Sequence, residues 1–191
     1  MHPSKSKTVR WAGSRALPLQ AAADLLGVTL DDAARAAARR LPLRFPAGYL
    51  DLVRRDDPDD PIRRIAWPTP DELRADEDAI DDPVGEGRRK LHPLVIQKYA
   101  DRALLLVTSR CHFYCRFCFR AGQDHDPDIS EVLEAIDLLS TLPGLHEVIL
   151  SGGDPLVLTD EALARILTAL RRLPALKTVR DIFMIRSCNF F

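Results

Sequence analysis

Apolar positions recur along the chain in three successive rhythms. In the first, Leu19, Ala22, Ala23 and Leu26 fall at helical spacing, and Gly27 follows as a stop signal. Asp31 or Asp32 is placed to cap a second helix running through Ala38, which Pro42 ends. Residues 1–41 therefore read as a helical region built on a small hairpin. Periodicity then fades. The stretch from Leu41 to Pro93 holds eight of the fourteen prolines, with the acidic runs Asp56-Asp57-Pro58-Asp59-Asp60-Pro61 and Asp81-Asp82-Pro83. Proline fixes φ and removes a donor, so long regular elements are not expected there, and only a short helix from Pro70 to about Ala79 is. Phe45, Tyr49, Ile62, Ile65 and Trp67 are too bulky and too frequent for a flexible linker, so residues 42–98 are expected to form an ordered, proline-rich wrapping segment.

The third rhythm starts at Tyr99. Ala103-Leu104-Leu105-Leu106-Val107 is a continuous apolar run, as a strand buried on both faces would be. Asp128 and Glu131 have capping-box spacing, and Val132, Leu133, Ile136 and Leu139 form the stripe of the helix they start, which Pro143-Gly144 ends. Val148-Ile149-Leu150 is a second strand. Thr159 caps another helix, with Asp160 and Glu161 in its first turn and Leu163, Ile166, Leu167 and Leu170 as its stripe. A third strand begins near Thr178. Alternating strands and helices imply parallel βα units, about three of them, over residues 99–191.

Composition narrows the picture. A chain of 191 residues, 46% of them hydrophobic, can bury a core, but a complete eight-stranded (β/α) barrel needs roughly 200–250 residues. The net charge of -1 argues against a nucleic-acid binder, which would be clearly basic. No apolar run approaches the roughly 20 residues that span a bilayer, and the basic N-terminus lacks the apolar stretch of a secretory signal, so no membrane role and a cytoplasmic location are expected. Four cysteines in that reducing compartment read as metal, cluster or redox ligands before disulfides.

Three of those cysteines, Cys111, Cys115 and Cys118, lie in C-H-F-Y-C-R-F-C, directly after the first strand. Three thiolates on so short a loop can converge on one face of an iron–sulfur cube. A fully protein-ligated [4Fe–4S] cluster takes about four cysteines, so three leave one iron open to a small chelating ligand. Two other readings stay open. A structural zinc module would need a fourth ligand, for which His112, His125 or Cys188 is available. Alternatively the cysteines are inert or a redox pair, and the chain is a fragment without a cofactor. After the second strand comes Ser151-Gly152-Gly153-Asp154-Pro155-Leu156. Alone it reads as a tight βα turn; two glycines also let backbone approach a ligand, and the Asp154 carboxylate can accept from an ammonium group.

The cysteine spacing resembles that of the radical S-adenosylmethionine (SAM) superfamily. Further segments resemble the lysine 2,3-aminomutase family, including its relative that supplies β-lysine for elongation factor P: D-P-I-R-R at Asp60, P-T-P-D-E-L at Pro68, D-P-V-G-E at Asp82, K-Y-A-D-R-A-L-L-L-V-T at Lys98, C-R-F-C-F-R at Cys115 and S-G-G-D-P-L at Ser151. F-P-A-G-Y-L near Phe45 leans towards the elongation-factor relative. The resemblance implies a partial radical SAM (β/α) barrel over residues 99–191, preceded by the helical and proline-rich regions. It implies a [4Fe–4S] cluster on Cys111, Cys115 and Cys118 whose open iron chelates SAM, with Phe117 beside the adenine and Gly152, Gly153 and Asp154 at the SAM amino group. One electron from the cluster cleaves SAM, and the resulting 5′-deoxyadenosyl radical abstracts a substrate hydrogen. The implied reaction is migration of nitrogen between carbons 2 and 3 of lysine, assisted by pyridoxal 5′-phosphate (PLP). The resemblance puts Tyr99 and Arg102 near the PLP phosphate and Arg120 near PLP or the substrate carboxylate. The implied partners are lysine, free or destined for elongation factor P, and a reductant such as flavodoxin or ferredoxin; oligomeric state is left open.

The chain also departs from the family pattern. The PLP-anchoring lysine and the carboxylates that read the substrate ε-amine lie far downstream of the glycine loop in that family, and here only Lys177 follows the cysteine loop. After Val179-Arg180 an R-I-G-T-R-like segment is expected, whereas residues 181–191 form an atypical tail containing Cys188. The expectation is a C-terminally truncated copy in which cofactor binding is better provided for than turnover.

Overall fold

The structure, a computed structural model, describes residues 16–74, 80, 82–121 and 125–182. Residues 75–79, Cys188 and the rest of the tail beyond Ile182 lie outside the described residues. The chain forms two compact units. One combines the N-terminal residues to position 75 with residues 112–118, and the other takes 76–111 and 119–184.

The N-terminal unit is helical. Helix α1 (Leu19–Leu26) ends at Gly27, whose φ of 67° lets Val28 N–H reach the Ala23 carbonyl (2.9 Å) and Gly27 N–H reach that of Asp24 (3.2 Å). Of the two candidate caps for α2 (Asp32–Arg40), Asp31 does the work. Its carboxylate accepts from Ala34 N–H at 2.6 Å, while Asp32 complements the dipole and Arg39 and Arg40 occupy the last turn. Short helices α3 (Ala47–Leu50) and α4 (Pro61–Ala66) follow, the latter with proline in its first turn and Asp60 as its cap. Of the short helix expected from Pro70 to about Ala79, the described residues show a 3-10 turn, Pro70–Leu73; residues 75–79 lie outside them. Ala22, Ala23, Leu26, Phe45, Leu50, Val53, Ala66 and Trp67 form the core, joined by Phe113 and Cys115 from the returning segment.

The second unit carries a five-stranded sheet in the order β1-β2-β3-β4-β5. Strands β1 (Lys90–His92), β2 (Val95–Tyr99) and β3 (Arg102–Thr108) are antiparallel neighbours, whereas β3, β4 (Glu147–Gly152) and β5 (Thr178–Asp181) run parallel. Helix α5 (Ile129–Leu139) connects β3 to β4, and α6 (Asp160–Leu170) connects β4 to β5. The Asp128/Glu131 capping box forms on α5, and Thr159 caps α6. Val132, Ala135, Ile136 and Leu139 of α5 and Ile166 and Leu170 of α6 bury against β3 and β4. The three parallel strands meet the sequence expectation of an α/β partial barrel, and among the described residues the sheet is open. Strand β1 falls inside the stretch Leu41–Pro93, where long regular elements are not expected, and β2 lies just beyond it. The proline of the β1–β2 hairpin is confined to a place that tolerates it: Pro93 sits in the turn, leaving Val95 and Ile96 to pair with Leu105 and Leu104.

Candidate functional site

Ligands of parallel α/β sheets bind beyond the carboxyl ends of the strands, and here the two sequence motifs leave β3 and β4 at those ends. Thr108 and Ser151, the polar residues where these strands finish, are both 1% exposed. Thr108 Oγ1 donates to Asp126 (2.7 Å), Ser109 N–H donates to the same oxygen (2.8 Å), and Arg110 Nε pairs with the other carboxylate oxygen (2.7 Å). Burial alone would raise the Asp126 carboxyl, but these hydrogen bonds and the Arg110 charge outweigh it and hold it below the ordinary carboxylate range. Three consecutive residues leading into Cys111 are thus fixed by one side chain.

The glycine pair grips the same segment from the other side. Gly152 has φ 101°, and a Cβ there would stand 2.3 Å from the Thr108 carbonyl oxygen; at Gly153 it would stand 2.1 Å from that of Arg110. Gly153 N–H donates to the Thr108 carbonyl (2.6 Å) and Asp154 N–H to that of Arg110 (2.8 Å). The glycines therefore serve main-chain contact between the end of β4 and the approach to Cys111. Asp154 is 3% exposed, and its Oδ1 accepts from Leu156 N–H (3.0 Å), starting the turn Pro155–Val157.

Arg120 is committed inside this unit. Its guanidinium makes a two-point ion pair with Glu86 through Nε (3.1 Å) and Nη2, and Nη1 donates to Ser151 Oγ (2.9 Å). Arg102 pairs with Asp101 through Nε (3.1 Å) and Nη2 (2.9 Å) and lies 5.6 Å over the ring of Tyr99, which is 57% exposed.

Residues 112–118 belong to the helical unit. The Phe113 ring packs against Phe45 (centroids 5.2 Å apart) and Tyr49 (5.3 Å). Tyr114 N–H donates to the Arg44 carbonyl (3.0 Å) and Arg116 N–H to that of Ile65 (2.8 Å). The Arg116 side chain, 6% exposed, donates through Nη1 to the Leu41 carbonyl (2.6 Å), through Nη2 to that of Ala37 (3.3 Å), and through Nε and Nη2 to Glu72. Glu72 in turn accepts from Thr69 N–H (2.9 Å).

The thiols differ in environment: Cys111 is half-buried, Cys115 buried and Cys118 exposed. Burial, and then the neighbouring Cys118, push the Cys115 thiol up. Ionising Cys115 thus calls for a compensating cation, and thiolates are the donors iron–sulfur clusters use, so cysteine donors fit such a cluster. Among the described residues no three His, Cys, Asp or Glu side chains form a group that could hold a single metal ion. Phe117, between Arg116 and Cys118, is 68% exposed. Of the residues the resemblance places near PLP, Arg102 and Arg120 are paired with carboxylates, and Lys177 is the single lysine of this sequence after the cysteine loop.

Sequence reasoning missed Asp126, Glu86, Arg116 and Glu72. Only the last carried a local signal, the Thr69-x-x-Glu72 capping spacing. The others act across 16 to 79 residues of chain, which no local pattern reveals.

The half-parallel α/β sheet carries a three-cysteine loop after one parallel strand and a Gly-Gly turn after the next, as the resemblance to the radical SAM superfamily implies. The sequence pattern of the Radical SAM superfamily matches residues 105–188 of the chain. The chain is similar to aminomutases. It is 40% identical over 136 residues to the L-lysine 2,3-aminomutase of Clostridium subterminale, covering 69% of this chain and 33% of that one. It is 42% identical over 135 residues to a putative L-lysine 2,3-aminomutase of Aquifex aeolicus (69% and 36%). It is 33% identical over 136 residues to the glutamate 2,3-aminomutase of Clostridioides difficile (69% and 32%). The chain spans about a third of the length of these relatives.

Proposed function

We propose that this chain provides the cluster- and SAM-binding part of a radical SAM aminomutase acting on lysine. The observation that carries the reading is the cysteine loop: Cys111, Cys115 and Cys118 stand in the spacing of the matched superfamily, and the residues around them are fixed by side-chain and main-chain bonds. In this reading the three thiols hold a [4Fe–4S] cluster, Gly152 and Gly153 border the SAM site, and Phe117 is the exposed aromatic available to the adenine. When bound, such a cluster supplies a single electron to SAM at its open iron. Asp126 and the glycine pair hold the chain entering Cys111, and the Arg116–Glu72 pair holds the turn between Cys115 and Cys118. Lysine as substrate is supported by the names of the relatives, and a small redox protein such as flavodoxin or ferredoxin is the reductant the chemistry calls for. Tyr99, Arg102 and Arg120 are offered as the anion-binding side of a PLP or substrate site, for which each would have to share its present carboxylate or ring partner.

Anaerobic reconstitution with iron and sulfide tests the reading. The expected product is brown, holds close to four irons per chain, a full cluster, and cleaves SAM to methionine and 5′-deoxyadenosine when reduced. A colourless protein carrying one zinc would instead establish the structural zinc module.

A further inference from the structure

Arg116 is neither a thiol ligand nor exposed to a substrate, yet it has more side-chain partners than any other residue of the cysteine loop. Its guanidinium spends Nε and Nη2 on Glu72, Nη1 on the Leu41 carbonyl and Nη2 again on the Ala37 carbonyl. Leu41 caps the C-terminal end of α2 and Ala37 lies in its last turn, where the dipole favours a cation; the Ala37 carbonyl also accepts from Leu41 N–H (3.0 Å). Glu72 is fixed independently, by Thr69 N–H on its carboxylate and by Arg40 Nη1 on its carbonyl (2.9 Å). Arg116 is the residue after Cys115, and Cys118 N–H donates to the Cys115 carbonyl (3.1 Å), so the turn bearing both thiols moves with the Arg116 backbone.

We infer that Arg116 and Glu72 are positioning residues for the cluster ligands: together they clamp the Cys115–Cys118 turn onto the end of α2 and preset the two thiols before iron arrives. The inference rests on the cluster reading for its purpose but not for its geometry. A fork-shaped guanidinium is required, because a lysine ammonium cannot pair bidentately with Glu72 and reach two carbonyls at once.

The test compares the full chain with Arg116→Gln, Glu72→Gln and Arg116→Lys. Arg54→Gln is the control, since Arg54 pairs with Asp57 and Asp60 away from the cysteine loop. In metal-free protein, alkylation of Cys115 by iodoacetamide is followed by peptide mass spectrometry. Cys115 is 8% exposed and should react slowly in the unsubstituted chain. Both Gln variants should speed it by roughly tenfold or more through local opening, Arg116→Lys by less, and Arg54→Gln not at all. After reconstitution, the Gln variants should hold less than about half the iron of the parent, with a broadened electron paramagnetic resonance signal, and Arg116→Lys should recover part of both. Unchanged Cys115 reactivity in the Gln variants overturns the inference. So does faster alkylation with undiminished iron and an unaltered signal, because the cluster would then be setting the turn by itself. Should Arg116→Gln lose its helical circular dichroism, Glu72→Gln and Arg116→Lys decide, since each keeps the loop cation. A parent chain with protected Cys115 that binds no iron sinks the cluster reading and leaves the clamp standing.

Discussion

Gly153→Ala is the substitution whose effect follows most directly from the structure. The added methyl would meet the Arg110 carbonyl oxygen at 2.1 Å, its carbon at 2.7 Å and the Arg110 nitrogen at 2.8 Å. An ordinary carbon–oxygen contact is about 3.3 Å, so the two backbones must part by about 1.2 Å. No flexible side chain is available to yield. Separation on that scale breaks the Gly153-to-Thr108 and Asp154-to-Arg110 hydrogen bonds, at 2.6 and 2.8 Å. Leaving partners unsatisfied costs about 1–3 kcal/mol each, so the expected loss for the two bonds is about 2–6 kcal/mol, a large share of a typical 5–15 kcal/mol. Gly144→Ala supplies the comparison: Gly144 also has positive φ (75°), but open space surrounds it, so only the backbone penalty of about 1–2 kcal/mol applies. Urea unfolding followed by circular dichroism measures both. Because Arg110 adjoins Cys111, Gly153→Ala should also lower iron loading, which Gly144→Ala should leave alone. Equal destabilisation by the two substitutions, with equal iron content, would refute the argument that the glycine pair exists to let two backbones touch.

Three other outcomes are expected. Cys115→Ala should abolish the iron–sulfur chromophore of reconstituted protein while Cys188→Ala leaves it; the reverse result would reassign the ligands. Phe45→Ala, which empties a site 1% exposed between Tyr49 and Phe113, should cost about 3–5 kcal/mol in urea unfolding. Asp60 is held below the ordinary carboxylate range, chiefly by Arg63 N–H and further by Arg54, against the opposing effect of burial. A depressed carboxyl stabilises the fold above its unfolded value of about 3.9 and loses that contribution as pH falls through the lower folded value. Thermal melts between about pH 5 and pH 2.5 should therefore fall more steeply for the parent than for Asp60→Asn.

The parallel βα core was legible because its signals are local. The apolar run at Ala103–Val107, the Asp128/Glu131 box and the Thr159 cap each lie within a few residues of what they specify. Hairpin β1–β2 was not, because its strands are short, flanked by Pro83 and Pro93, and stabilised by pairing with β3 rather than by an alternation of their own. The cysteines and glycines were legible as motifs, but the packing of Gly153 against the Arg110 backbone was not. Spacing suggests ligand approach, whereas the close contact shown is with the Arg110 backbone. Arg116 does not stand out in the sequence, since its partners lie 44 to 79 positions earlier in the chain.

Those separations bear on the order in which the molecule comes together. The helical unit is discontinuous: its core closes only when Phe113 and Cys115 return to Phe45, Leu50 and Trp67 after β1, β2 and β3 have been synthesised. Contacts of such long range pay their loop-closure entropy late in folding, after local helices and hairpins have formed. A nascent chain ending before residue 112 would present α2 with carbonyls awaiting a cation, Glu72 without its arginine and an aromatic cavity lacking one wall. Within the helical unit the last segment to settle is then the one that bears Cys115 and Cys118, which leaves their thiols accessible to incoming iron until that core closes.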